Sequence, residues 1–189
     1  MRLTTGSKYN YKYSNRGMNL EEEINSSNQY YLEKEIAAIY KKPTPITINK
    51  VSYKSRADAK ITEAHFKTPS TTDYNGVYKG RYIDFEAKET KNKTSFPLNN
   101  IHNHQIKHLK NIVKLGGIGF IIVRFTSLNE TYYLNSKFLF SFIENETRKS
   151  IPLEYFRKNG FKIKTKLRPL VDYLEFVERD LGWYYEWNI

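Results

Sequence analysis

The chain has 189 residues, 39% hydrophobic and 15% aromatic, enough to close a core and too much for an intrinsically disordered protein. Its 31 basic and 20 acidic side chains leave a formal net charge of +11, which points to a polyanionic partner such as nucleic acid. Cysteine is absent, no signal-peptide pattern opens the chain and no apolar run nears the ~18 residues of a spanning helix, so disulfides, thiolate metal sites and a membrane span are excluded; an anionic membrane would also fit the charge, but no membrane partner is expected.

The expectation is a cytoplasmic protein with a flexible basic arm over residues 1–15 and a single α/β domain over residues 16–189. The arm, rich in Tyr, Lys, Asn and Ser, shows no periodicity. After it, "NLEEEINSSNQYYLEKEIAAIY" reads as one helix from Asn19 to Tyr40. Asn19 is a good N-cap, Glu22 completes a capping-box pair, and Pro43 and Pro45 stop the run. Two β-type runs, "TINKVSY" and "ITEAHFK", joined by the basic "KSRADAK", predict a partly protruding hairpin from Thr47 to Lys67.

Further on, Tyr82 to Lys88 alternates as a strand does, with Ile83, Phe85 and Ala87 on one face and Asp84, Glu86 and Lys88 on the other. The segment "PLNNIHNHQIKHLKNIVKLGG" predicts a helix begun by Asn99 or Asn100 and stopped by Gly116 and Gly117. "IGFIIVRF" predicts a strand buried on both faces, and "ETYYLN" another. Short helices are expected over Lys137–Asn145, Pro152–Lys158 and Val171–Leu181.

Chemistry enters through the strand pair. Lys79-Gly80 is a plausible two-residue turn between "GVY" and "RYIDFEAK". Counting outward from Tyr78 opposite Arg81 brings Asp73 opposite Glu86, with Cβ atoms ~5 Å apart, unless Asn75-Gly76 introduces a bulge. Opposed carboxylates repel, and a divalent cation such as Mg²⁺ resolves the conflict. Lys88 emerges on the same face, where an ammonium can stabilise charge on an attacked phosphate. The bland alternative is a solvated strand face with a cross-strand salt bridge. Gln105 sits amid the apolar stripe of Ile101, Leu109 and Ile112, either capping a loop or reaching the same site to orient water or phosphate. His104 and His108 have the spacing to share a metal, but Gln105 stands where a zinc protease carries Glu. Lys91 and Lys93, in "KETKNKT", are either solvated or phosphate-gripping.

At these residues the sequence resembles the RecU Holliday junction resolvases, within the PD-(D/E)xK nuclease superfamily. The likeness runs from "SNRGMNLEEEIN" to "RPLVDYL". It is most specific in "KKPTPITI", "TPSTTDYNGVYKGRYIDFEAKETKNKTSFPLNNIHNHQ" and "RPLVDY". The resemblance implies a restriction-endonuclease-like fold, a mixed central sheet flanked by helices with a protruding two-stranded stalk. It places the metal-binding acids on Asp73 and Glu86, further metal-site positions on Thr71 and Gln105, and the catalytic lysine on Lys88. Thr72 stands where the superfamily has proline, and Asp84 is left as a bystander. Arg56 and Phe66 match stalk positions and Arg16 a DNA-binding segment. The likeness further implies a Mg²⁺-dependent endonuclease, with Mn²⁺ as a substitute metal, that acts as a homodimer. It would nick symmetry-related strands of four-way junction DNA and associate with RecA and the RuvAB branch migration complex. The alternatives are a non-catalytic junction-binding regulator, a nuclease acting on ordinary duplex, and a basic RNA-binding module.

Overall fold

Helix α1 (Leu20–Glu33) begins at a reciprocal cap: the Asn19 side chain accepts from the Glu22 N–H at 2.9 Å, and the Glu22 carboxylate accepts from the Asn19 N–H at 3.0 Å. The protein is described from a computed structural model covering residues 18–53, 55–67 and 71–186. The basic arm expected over residues 1–15, with Arg16, lies outside the described residues.

The helix ends seven residues before Tyr40, where the sequence pattern placed its stop. Glu35 takes a positive φ of 55°, and Ala37–Lys41 forms strand β1 instead. The physical reason is a change of period. Ala37 and Ile39 are buried while Ile36 and Tyr40 are exposed, an alternation of two that a sheet edge can use and a helix cannot.

Strands β2 (Ile46–Ser52) and β3 (Lys60–Phe66) form the expected hairpin as a separate two-stranded sheet. Its apolar cross-strand pairs, Ile46 with Phe66, Ile48 with Ala64 and Val51 with Ile61, are exposed rather than packed on the body. The Lys67 N–H donates to the Pro45 carbonyl at 2.9 Å and closes its root.

Strands β4 (Tyr74–Tyr78) and β5 (Arg81–Thr90) are joined at Lys79 and Gly80, whose φ values of 48° and 73° give the left-handed turn that suits a twisted hairpin. No bulge occurs at Asn75-Gly76. Gly76 is needed for a different reason: a Cβ there would lie 2.1 Å from the Ala38 carbonyl of the neighbouring strand β1. After β6 (Ser95–Pro97) comes α2 (Asn103–Lys114), capped at His102 rather than at Asn99 or Asn100, which belong to a preceding 3₁₀ turn. Strand β7 (Ile118–Phe125) then runs parallel to β5.

The remainder is β8 (Glu130–Asn135), α3 (Ser136–Asn145), β9 (Ser150–Pro152), α4 (Leu153–Asn159), β10 (Phe161–Ile163) and α5 (Leu174–Glu186). Helix α5 starts later than Val171, which instead pairs with Thr165 as an isolated bridge. The central mixed sheet runs β1-β4-β5-β7-β8-β10, and β6 pairs with β9.

Helices flank this sheet on both faces. On one, α1 and α5 cover Tyr74, Phe85 and Phe120, whose rings stack at 4.8 and 4.6 Å. On the other, Leu109 of α2, Leu139 of α3 and Phe156 of α4 close over Ile121, Val123 and Phe125. Strand β5 lies between the two cores. Its Ile83, Phe85 and Ala87 join the first, so Asp84 and Glu86 must face the second, and both are fully buried. A solvated strand face is therefore excluded.

Among the described residues, no helix is long and apolar enough to cross a membrane. The stalk carries none of the core, so replacing residues 47–65 with a short Gly-Ser link should shift the thermal midpoint by less than about 3 °C. A loss comparable to the ~3–5 kcal/mol of Phe85→Ala would contradict that division of labour.

Candidate active site

The ladder between β4 and β5 runs from Tyr78 opposite Arg81 to Tyr74 opposite Phe85. One step beyond the last pair, Asp73 meets Glu86. A turn without slack and a strand without a bulge carry the count as far as Tyr74 and Phe85 and bring Asp73 to the level of Glu86, one residue past the ladder.

The two acids differ in exposure. The Asp73 side chain keeps 27% of its surface in solvent, whereas that of Glu86 keeps none. Burial first, then the adjacent Asp73 carboxylate, push the Glu86 carboxyl up to about 8 against the opposing pull of Lys88. Lys88 lies in ion-pair contact with Glu86, with its Nζ 3.7 Å from Asp73 Oδ2. Burial works against this ammonium, but the Glu86 and Asp73 carboxylates more than offset it and hold its pKa above the ordinary lysine value.

Among the described residues, the groups that reach the Glu86 carboxyl are the Lys88 ammonium, pressed against Oε1 at an angle poor for a hydrogen bond, and the Asp73 carboxylate; no backbone N–H or other side chain donates to it. A buried carboxyl held against a second carboxylate, with one ammonium between the two, is a costly arrangement that a divalent cation would relieve. No group of three or more His, Cys, Asp or Glu is placed to hold a metal among the described residues. Two carboxylates are nevertheless the usual protein share for Mg²⁺, which takes its other oxygens from water and substrate phosphate. The residues present fit such an ion.

Asp84, on the same face of β5, has the opposite character. Its Oδ2 meets Lys42 Nζ at 2.7 Å, the Tyr82 hydroxyl at 2.9 Å and His108 Nε2 at 3.1 Å, and its Oδ1 accepts from the Thr72 hydroxyl. Its acceptor capacity is spent inside the protein. Nothing in the local pattern marks Lys42 or Thr72 as site residues. Only the resemblance touches them, through "KKPTPITI" and the missing proline, and a proline at position 72 could not make this bond.

Gln105 is buried in the first turn of α2, and its Oε1 accepts from the His102 N–H at 2.8 Å. Among the described residues it makes no hydrogen bond with Asp73, Glu86 or Lys88. Thr71 is half-buried two residues before Asp73, its hydroxyl 3.4 Å from the Thr72 carbonyl. Lys91 and Lys93 are exposed just past the end of β5 that carries Lys88. Phe66, at the root of the stalk, is 77% exposed, and Arg56 opens the 3₁₀ turn between the stalk strands. His104 and His108 do not converge: His104 stacks on His102 at 5.4 Å while His108 turns to Asp84.

The profile of the family described as Recombination protein U matches residues 15–179. The Holliday junction resolvase RecU of Lactococcus lactis subsp. lactis (strain IL1403) is 56% identical over 168 residues, which cover 88% of this chain and 79% of that one. Its counterpart from Pediococcus pentosaceus is 54% identical over 170 residues, covering 88% and 85%. Hjc of Archaeoglobus fulgidus, an archaeal Holliday junction resolvase of known structure, matches with a TM-score of 0.42 and 10% identity over 74% of this chain and 94% of that one; a likeness of that size carries no argument.

The contact of Lys88 with both acids has a testable consequence. Lys88→Met should lower the unfolding free energy of the metal-free protein by about 2 kcal/mol, and its thermal midpoint with it, because two carboxylates lose their counter-ion. Loss of the ammonium favours a divalent ion twice as much as a competing proton. Added Mn²⁺ should therefore raise the midpoint of the variant more than that of the wild type; equal shifts in thermal unfolding would contradict the arrangement.

Proposed function

The chain belongs to the Recombination protein U family, the RecU Holliday junction resolvases, and from that membership we propose that it resolves four-way DNA junctions by metal-dependent phosphodiester hydrolysis at Asp73, Glu86 and Lys88. The observation that carries this reading is the cluster itself: Asp73, one residue past the last ladder pair, beside the buried Glu86 carboxyl, with the Lys88 ammonium against both. A bound Mg²⁺, with Mn²⁺ as a substitute, supplies Lewis acidity and a more acidic bound water. Asp73 and Glu86 hold it, and Thr71 and Gln105 complete the protein's share. A carbonyl oxygen has two lone pairs, so Gln105 can accept its helix-cap bond and still ligate.

Lys88 brings an ammonium to the negative charge that builds on the attacked phosphate. Hydrolysis adds water across the phosphorus–O3′ bond and leaves 5′-phosphate and 3′-hydroxyl ends. Lys91 and Lys93, exposed beside the site, grip the flanking phosphates. Such contacts position the strand without distinguishing a junction from a duplex. Junction selectivity falls to shape: a homodimer presents two such sites to symmetry-related strands, and the stalk, with Arg56 and Phe66, meets the branch point. Arg16 adds a further DNA contact. Residues 16–189 act as one nuclease domain with the stalk inserted, preceded by a basic arm. The protein works in the cytoplasm with RecA and the RuvAB branch migration complex. A non-catalytic junction-binding regulator would have no use for two carboxylates and a lysine held together at one end of β5.

The test compares four-way junction, linear duplex and single-stranded DNA, with Mg²⁺ or EDTA. The junction should be cut in preference to the others, EDTA and Asp73→Asn should each abolish cutting, and Lys88→Ala should cost about a hundredfold in rate with junction affinity retained. Cutting that survives both chelation and Asp73→Asn, or that shows no junction preference, overturns the proposal.

A further inference from the structure

The stalk leaves the body just after β1, at Lys42, and returns just before β4, at Thr72 and Asp73, so the two legs meet at its root. The Lys42 N–H donates to the Asp73 carbonyl at 2.7 Å. Its ammonium reaches Thr72 Oγ1 at 3.0 Å and Asp84 Oδ2 at 2.7 Å. Thr72 closes the triangle by donating to Asp84 Oδ1. Asp84 is fully buried and Thr72 is 3% exposed, so water does not compete for these bonds. Outgoing and returning legs are thus pinned to the same carboxylate on β5, two residues before Glu86.

We propose that Lys42 is a positioning residue, which together with Asp84 and Thr72 clamps the root of the stalk and keeps Asp73 in register with Glu86 while the stalk bears on DNA. Asp73 itself lies outside the last ladder pair of β4, so the hairpin alone does not fix it. Its backbone is held by Lys42 and its preceding side chain by Asp84. The proposal rests on Asp73 and Glu86 holding the metal, and it extends to residues that act on that pair through the backbone and Thr72. The charge on Lys42 also explains why two carboxylates can share one buried strand face: Asp84 has its own cation and does not compete with Glu86 for Lys88.

The test uses the full chain with Lys42→Met, Thr72→Val and, as a control, Tyr82→Phe, which removes a bond to Asp84 without touching the 71–73 segment. Mn²⁺ affinity is measured by calorimetric titration without DNA, and junction affinity by gel shift in EDTA. Lys42→Met and Thr72→Val should weaken Mn²⁺ binding about tenfold, the range of residues that orient metal ligands, while Tyr82→Phe changes it less than about twofold. Junction affinity in EDTA should stay near that of the wild type. If Lys42→Met does not fold, Thr72→Val decides, since it leaves the Lys42–Asp84 pair in place. Unchanged Mn²⁺ affinity in Thr72→Val, or an equal loss in Tyr82→Phe, overturns the clamp. A wild type that binds Mn²⁺ but cuts no junction sinks the resolvase mechanism and leaves the clamp to be judged by the same titrations.

Discussion

Two carboxylates lie fully buried on one face of β5, and a buried carboxylate must be matched by positive charge from elsewhere in the chain. That constraint organises the surrounding structure. Asp84 is matched by Lys42, brought in from the end of β1, and Glu86 by Lys88 on its own strand. The rest of the architecture makes those meetings possible. Strand β1 has to exist where the helical pattern ran on, β4 has to return beside it, and Gly76 lets the two backbones approach.

The two matches are built differently, and the difference separates scaffold from chemistry. Asp84 accepts bonds on both oxygens from four side chains, a satisfied network that rigidifies its surroundings. Glu86 meets only the Lys88 ammonium and the Asp73 carboxylate, and no backbone N–H or hydroxyl among the described residues fixes it as Asp84 is fixed. Burial and Asp73 raise its pKa, and Lys88 draws it back. A strand with alternating faces thus carries a fixed carboxylate and an available one, two residues apart. In the proposed mechanism only the available one works.

Much of this was legible in the sequence because its controlling elements are local. A Lys-Gly turn with positive φ at both positions sets the register of β4 on β5, and the pairing of Asp73 with Glu86 follows by counting. The buried strand β7 announced itself by a near-continuous apolar run. Features that were not legible depend on distant partners. The run from Glu35 to Tyr40 contains good helix formers, and it becomes a strand only because β4 offers a ladder. The N-cap of α2 fell at His102 because Leu98–Asn100 closes a 3₁₀ turn first. Asp84 and Glu86 have identical sequence periodicity, and burial by α2 on that face is a tertiary fact. Lys42 carries no local mark at all: its role arises where residues 30 and 42 positions away converge on it.

The central claim is that the Asp73–Glu86 pair holds a divalent cation. The most direct measurement is X-ray diffraction at the manganese absorption edge from crystals grown with Mn²⁺. An anomalous peak is expected between the Asp73 and Glu86 carboxylates, with the Lys88 ammonium moved away from Glu86. A peak on the His102–His104 pair instead, or none within coordination distance of either acid, would contradict the claim.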